Sequence, residues 1–208
     1  MGSTEGLEEE TEMITIFIDT QELRYTKSMA KAAEIGGNSN IRERGDRMAK
    51  IGIDQWIGQI GQYALSLYMF GSPDKYYQQR MISNMHPTVG DNGQDILGSN
   101  IDVKTSLMRY GLDPYKYRLA VRPKERHDGH IYILALVEPN VDKALSLTVP
   151  LKVYLVGYAV DNELSTEPDS DGPFSGAFTV MSDMLHPMMP IQWHWRKYDS
   201  LHSTGSML

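Results

Sequence analysis

Apolar residues in "IDQWIGQIGQYALSLYMFG" fall at Ile53, Trp56, Ile57, Ile60, Ala64, Leu67 and Tyr68. That spacing predicts a helix with one broad buried face, stopped by Gly71. Ahead of it, "MITIFID" reads as a short strand and "TQELRYTKSMAKAAEIGG" as a helix with Thr20 as N-cap and a Gly-Gly stop. After it the period shortens. "GQDILG", "NIDVKTS", "YRLAVRP" and "GHIYILALVEP" are strand candidates bounded by Gly, Asn, Pro and Asp, and "VYLVGYAV" is one more. The Met- and Pro-rich run "FTVMSDMLHPMMPIQWHW" is expected to wrap the outside of the core. This order predicts a mixed α/β or α+β fold, with a central mixed, mostly antiparallel sheet of about four to five strands flanked by helices.

A chain of 208 residues suits one core. We expect residues 1–12 to form a disordered acidic leader and residues 13–208 a single domain. Hydrophobic content of 41% and charged content of 23% place the chain among folded proteins. No apolar run reaches the roughly 18 to 20 residues of a membrane span, and "MGSTEGLEEETE" is acidic where a secretory signal is basic and then apolar. A cytoplasmic protein is the expectation. With no cysteine, disulfides and thiolate metal sites are excluded, so any metal falls to Asp, Glu, His or backbone oxygens. Such ligands suit Mg²⁺.

The net charge of -7 opposes binding to nucleic acid, but the charge is unevenly spread. From Lys104 to Arg126 the chain carries Lys104, Arg109, Lys116, Arg118, Arg122, Lys124 and Arg126 against Asp113 and Glu125. The acidic excess sits in the leader and in "DNELSTEPDSD". A basic stretch of this kind is compatible with focused binding of a polyanion.

The stretch "GQDILGSNIDVKTS" holds the candidate chemistry. Residues two apart in a strand face the same side, so Asp102 and Lys104 project together while Ile101 and Val103 pack the other way. The turn "GSN" folds Asp95 back toward Asp102. Two carboxylates converging on a lysine are costly in a dry site unless a cation lies between them. The alternative is an ordinary hairpin with charges on its wet face, since a carboxylate-x-lysine triplet is common by chance.

A helix containing "WIGQIGQYAL", then D-x6-D-x-K on a hairpin, then the apolar strands of "YRLAVRP", "IYILALVEP" and "VYLVGYAV", resembles the PD-(D/E)XK nuclease superfamily from about Trp56 to the C-terminus. The resemblance implies a restriction-endonuclease-like core and Mg²⁺-dependent DNA hydrolysis, with Mn²⁺ as a substitute. It makes Asp95 and Asp102 the metal-binding carboxylates, adds Val103 to the metal set, and puts Lys104 near the attacking water. Relatives with this helix pattern carry glutamate in "G-E-x-A" where Gln62 stands in "GQYA", and Gln94 replaces the proline of the family name. An amide oxygen orients a water but adds no negative charge.

Arg109, Lys116, Arg118, Arg122 and Lys124 are the candidate DNA contacts. A chain this small would act as a homodimer to cut both strands, in a phage or mobile-element setting. The alternative from another class is a weakly active or inactive nuclease-fold protein with a structural or nucleic-acid-binding role, suggested by Gln62 and the acidic net charge.

Four other features read as ordinary structure. Asp91 in "VGDNGQD" belongs to an Asp-Asn-Gly turn more readily than to the acidic pair. His127 and His130 in "ERHDGHIY" are expected as solvated turn histidines and not a zinc pair. "WHWRKY", with Arg196 and Lys197, is expected to cover core more than to stack bases. "MSDMLHPMMP" reads as adaptable packing.

Overall fold

The structure, a computed structural model, describes residues 13–35, 51–85, 95–96, 98–108, 113–138, 150–170 and 174–188. In chain order the elements are β1 (Ile14–Ile18), α1 (Thr20–Ile35), α2 (Ile51–Phe70), α3 (Asp74–Met85), β2 (Ile101–Leu107), β3 (Arg118–Val121), β4 (Ile131–Val137), β5 (Leu151–Val160) and β6 (Phe178–Met181). Single 3-10 turns cover Pro114–Lys116, Pro123–Glu125, Asp161–Glu163 and Ser182–Met184.

Every residue of β4 after Ile131 is buried. A strand apolar on both sides demands cover on both faces, so β4 lies inside a sheet of order β1-β5-β4-β2. Ile133, Ala135 and Val137 face the helices, and Tyr132, Leu134 and Leu136 enter a second apolar cluster on the other side. β1 and β4 each run antiparallel to β5, whereas β2 runs parallel to β4. The fold is mixed α+β, with a four-stranded mixed sheet carrying three helices on one face.

Two strand expectations are corrected. Parallel neighbours cannot be joined by a tight turn, and the crossover from β2 to β4 carries "YRLAVRP" out of the central sheet. Only Leu119 and Val121 of β3 are buried, a one-faced pattern that suits an outer layer. β3 pairs antiparallel with β6 in a separate two-stranded sheet over the second cluster. The run "GQDILG" is not a strand at Asp95 and Ile96, which form a bend whose Asp95 N–H donates to Ile101 O at 3.0 Å. The fold-back expected from "GSN" is there, made by one backbone bond and not by a ladder.

α1 is capped by Asp19, one residue before the expected Thr20. Asp19 Oδ1 accepts from Glu22 N at 2.8 Å and Glu22 Oε2 accepts from Asp19 N at 2.7 Å, a reciprocal box that satisfies two donors of the first turn. α2 stops at Gly71, whose φ of 67° places it in the left-handed region. Sequence periodicity did not reveal α3, because its inner face is polar: Tyr76, Gln79 and Arg80 are all buried. Among the described residues no helix is long and apolar enough to cross a membrane.

Candidate active site

The site forms where α2 lies closest to β2. Gly61 makes that approach possible, since a Cβ there would overlap Thr105 Oγ1. With the helix backbone against the strand, the next residue, Gln62, reaches the outer edge of β2. Its Nε2 donates to Asp95 Oδ1.

Asp95 is held from several directions and is 5% exposed. Its Oδ2 accepts from Val103 N at 2.6 Å, so the carboxylate occupies the place that a neighbouring strand's carbonyl would take on this sheet edge. Arg80 Nη2 on α3 lies 3.9 Å from Asp95 Oδ1. In an extended strand the N–H and C=O of one residue project to the same side, so the Val103 carbonyl also leaves β2 on the Asp95 edge.

Asp102 points to the sheet face opposite the helices and is 6% exposed. Its Oδ2 lies 2.7 Å from Lys104 Nζ, as expected for side chains two apart on one strand. Lys104 Nζ also lies 2.9 Å from Glu125 Oε2, brought in by the Pro123–Glu125 turn. That turn is braced by Tyr132, the register partner of Asp102, whose hydroxyl accepts from His127 N at 2.7 Å and donates to Glu125 O at 3.1 Å.

These contacts set the charge states. Burial pushes the Asp102 carboxyl above its ordinary range, against the opposing pull of Lys104 and a hydrogen bond with Asp95. Burial alone would depress Lys104, but Asp102 and Glu125 outweigh it and hold the ammonium above its usual value. For Glu125 burial is likewise outweighed, by Lys104 and Arg122, and the carboxyl lies below the usual glutamate range.

The donor set fits a hard divalent cation. Asp95 and Asp102 supply carboxylate oxygen and Val103 a carbonyl. Gln62 Oε1 is buried and has no hydrogen-bond partner among the described residues. An acceptor in that position costs about 1–3 kcal/mol unless something fills it. Among the described residues, no group of three or more His, Asp or Glu is arranged around a common point, so the amide and the backbone would have to complete the shell.

The structure therefore brings Gln62, Asp95, Asp102, Val103 and Lys104 together, with Glu125 and Arg80 as neighbours that sequence reasoning missed. Glu125 was visible only as an acid within a basic stretch. Arg80 was hidden with α3, though its spacing from Tyr76 is helical. Of the basic residues, Arg109 lies outside the described residues. Lys116 and Lys124 are exposed. Arg118 Nη1 pairs with Asp169 Oδ2 at 2.9 Å, and Arg122 lies beside Glu125.

The rings of His127 and His130 stand 4.9 Å apart, and both His130 ring nitrogens are buried, which corrects the solvated reading for that residue. Asp91 and the "WHWRKY" run lie outside the described residues. Within the Met cluster, Met188 is buried and Met184 is 73% exposed. Compared with protein-family models, curated proteins and solved structures, the chain matches none.

Proposed function

We propose that this chain is a Mg²⁺-dependent nuclease that hydrolyses phosphodiester bonds in DNA. One observation carries the reading. Side chains from three separate segments, Gln62 on α2, Asp95 in the bend and Asp102 with Lys104 on β2, meet around the edge strand β2. The D-x6-D-x-K pattern required that convergence, whereas a wet hairpin required no burial of either aspartate.

Bound Mg²⁺ would supply Lewis-acid polarisation of a phosphoryl oxygen and acidify a water. The chain's own groups do the rest. Asp95, Asp102 and the Val103 carbonyl would hold the cation, and Gln62 orients Asp95 and offers its spare oxygen to water. Lys104 is charged at any physiological pH and offsets negative charge that develops on the phosphoryl group during attack. Lys116, Lys124 and Arg122 are the side chains suited to hold the DNA backbone.

The second reading, a weakly active or inactive nuclease-fold protein, is favoured by one feature. Lys104 is already held by two carboxylates. Asp102→Ala and Lys104→Ala separate the two readings. Each should lower Mg²⁺-dependent plasmid cleavage by at least about 10²-fold while the circular dichroism spectrum is kept. Equal cleavage by wild type and both variants removes this site from the reaction.

A further inference from the structure

Arg80 stands beside Asp95 without a role in the chemistry so far described. Its side chain is 7% exposed, and its Nη2 lies 3.9 Å from Asp95 Oδ1, the oxygen that also accepts from Gln62. A guanidinium remains charged in any protein environment, and burying one is costly without compensation. Its charge is therefore a fixed property of this edge of the sheet.

The local charges balance when every group is ionised. Asp95, Asp102 and Glu125 contribute three negative charges, and Lys104, Arg80 and the Arg122 beside Glu125 contribute three positive ones. One divalent cation meets attraction from the aspartates. A second would meet these fixed positive charges, with the neutral Gln62 adding no attraction.

We propose that Arg80 is a positioning residue for Asp95, a built-in counter-charge that holds its carboxylate at the β2 edge and limits the acidic pair to one divalent cation. This rests on the reading of Asp95 and Asp102 as cation-holding carboxylates. Arg80 touches neither substrate nor reacting atoms. It acts through the place and charge of Asp95.

Mn²⁺ alone, titrated into the full chain, tests the assignment through loss of the free-ion paramagnetic resonance signal and through calorimetry. Asp102→Ala serves as the control for surface binding. Wild type should bind one Mn²⁺, and Arg80→Lys, which keeps the charge, should bind one within about threefold of wild type. Arg80→Gln, which removes the charge, should bind Mn²⁺ at least about tenfold tighter or take up a second ion.

Two ions bound with equal affinity by wild type overturn the proposal, a test that holds even where Arg80→Gln does not fold. Unchanged or weaker binding by a folded Arg80→Gln overturns it too, and leaves the metal site standing. Absence of Mn²⁺ binding in wild type and Arg80→Gln alike removes the metal site itself and the proposal with it.

Discussion

Gln62 donates to Asp95 through Nε2 and leaves Oε1 buried, with no partner among the described residues. Gln62→Glu exchanges that donor for a third carboxylate, which attracts a cation when one is present and repels Asp95 when none is. We expect tighter binding of Mg²⁺ or Mn²⁺ by calorimetry and cleavage equal to or above wild type. In EDTA the same variant should lose about 1–3 kcal/mol of stability, because a buried hydrogen bond is replaced by like charges. Unchanged metal affinity places Gln62 outside the site.

Glu125 and Lys104 give a prediction in pH. The Glu125 carboxyl is depressed below the ordinary 4.5, so its contribution is present above pH 4.5 and lost as pH falls through its lower folded value. Lys104 is raised above the ordinary 10.5, so its contribution is present below that pH and lost as pH rises through its higher folded value. In EDTA, Glu125→Gln should therefore be less stable than wild type by about 1–2 kcal/mol across neutral pH. The gap should narrow as acidification carries the folded protein through the lowered Glu125 value. A gap that does not change with pH on the acid side would assign the effect to packing and not to the ion pair.

At the scale of elements, the site depends on how closely α2 approaches β2, and Gly61 sets that distance. Gly61→Ala puts a methyl into the space of Thr105 Oγ1. Overpacking of this kind costs about 1–3 kcal/mol, and pushing α2 away carries Gln62 from Asp95. We expect a lower thermal midpoint together with impaired cleavage, and Thr105→Ala in the same chain should restore part of both by removing the hydroxyl and methyl that the new Cβ meets. α1 is tuned separately. Asp19→Ala removes the reciprocal cap and should cost about 1 kcal/mol, read by chemical denaturation, with metal affinity unchanged.

At the scale of the molecule, the basic stretch divides into arginines paired with acids of the fold and lysines exposed at the surface. Arg126 Nε lies 2.6 Å from Asp161 Oδ1, its Nη2 donates to Asp161 O at 3.0 Å, and its guanidinium lies over the Phe178 ring. Arg118 is tied to Asp169. Lys116 and Lys124 are exposed. Arg126→Ala should therefore lower the thermal midpoint, and Lys116→Gln with Lys124→Gln should lower it by less. The double variant should flatten the dependence of duplex-DNA affinity on salt, the logarithmic slope falling by about 0.9 for each phosphate no longer neutralised. Anisotropy titrations over a range of NaCl concentrations check this, and an unchanged slope places the polyanion elsewhere on the surface.

Sequence by itself determined the elements marked by apolar pattern and by turn residues at their ends: β1, α1, α2, β4, β5 and the single strand carrying Asp102 and Lys104. It also determined that those two side chains share a face, because strand geometry leaves no other choice. The tertiary structure alone decided what no local pattern encodes. The two-sided burial of β4 placed β2 parallel beside it and sent β3 to an outer layer, since a one-faced strand covers a sheet and does not fill its middle. The polar inner face of α3 removed the apolar period by which a helix is recognised, and with it hid Arg80. Glu125 meets Lys104 from 21 positions further along the chain, a meeting fixed by the crossover's path over the sheet and not by any local spacing of residues.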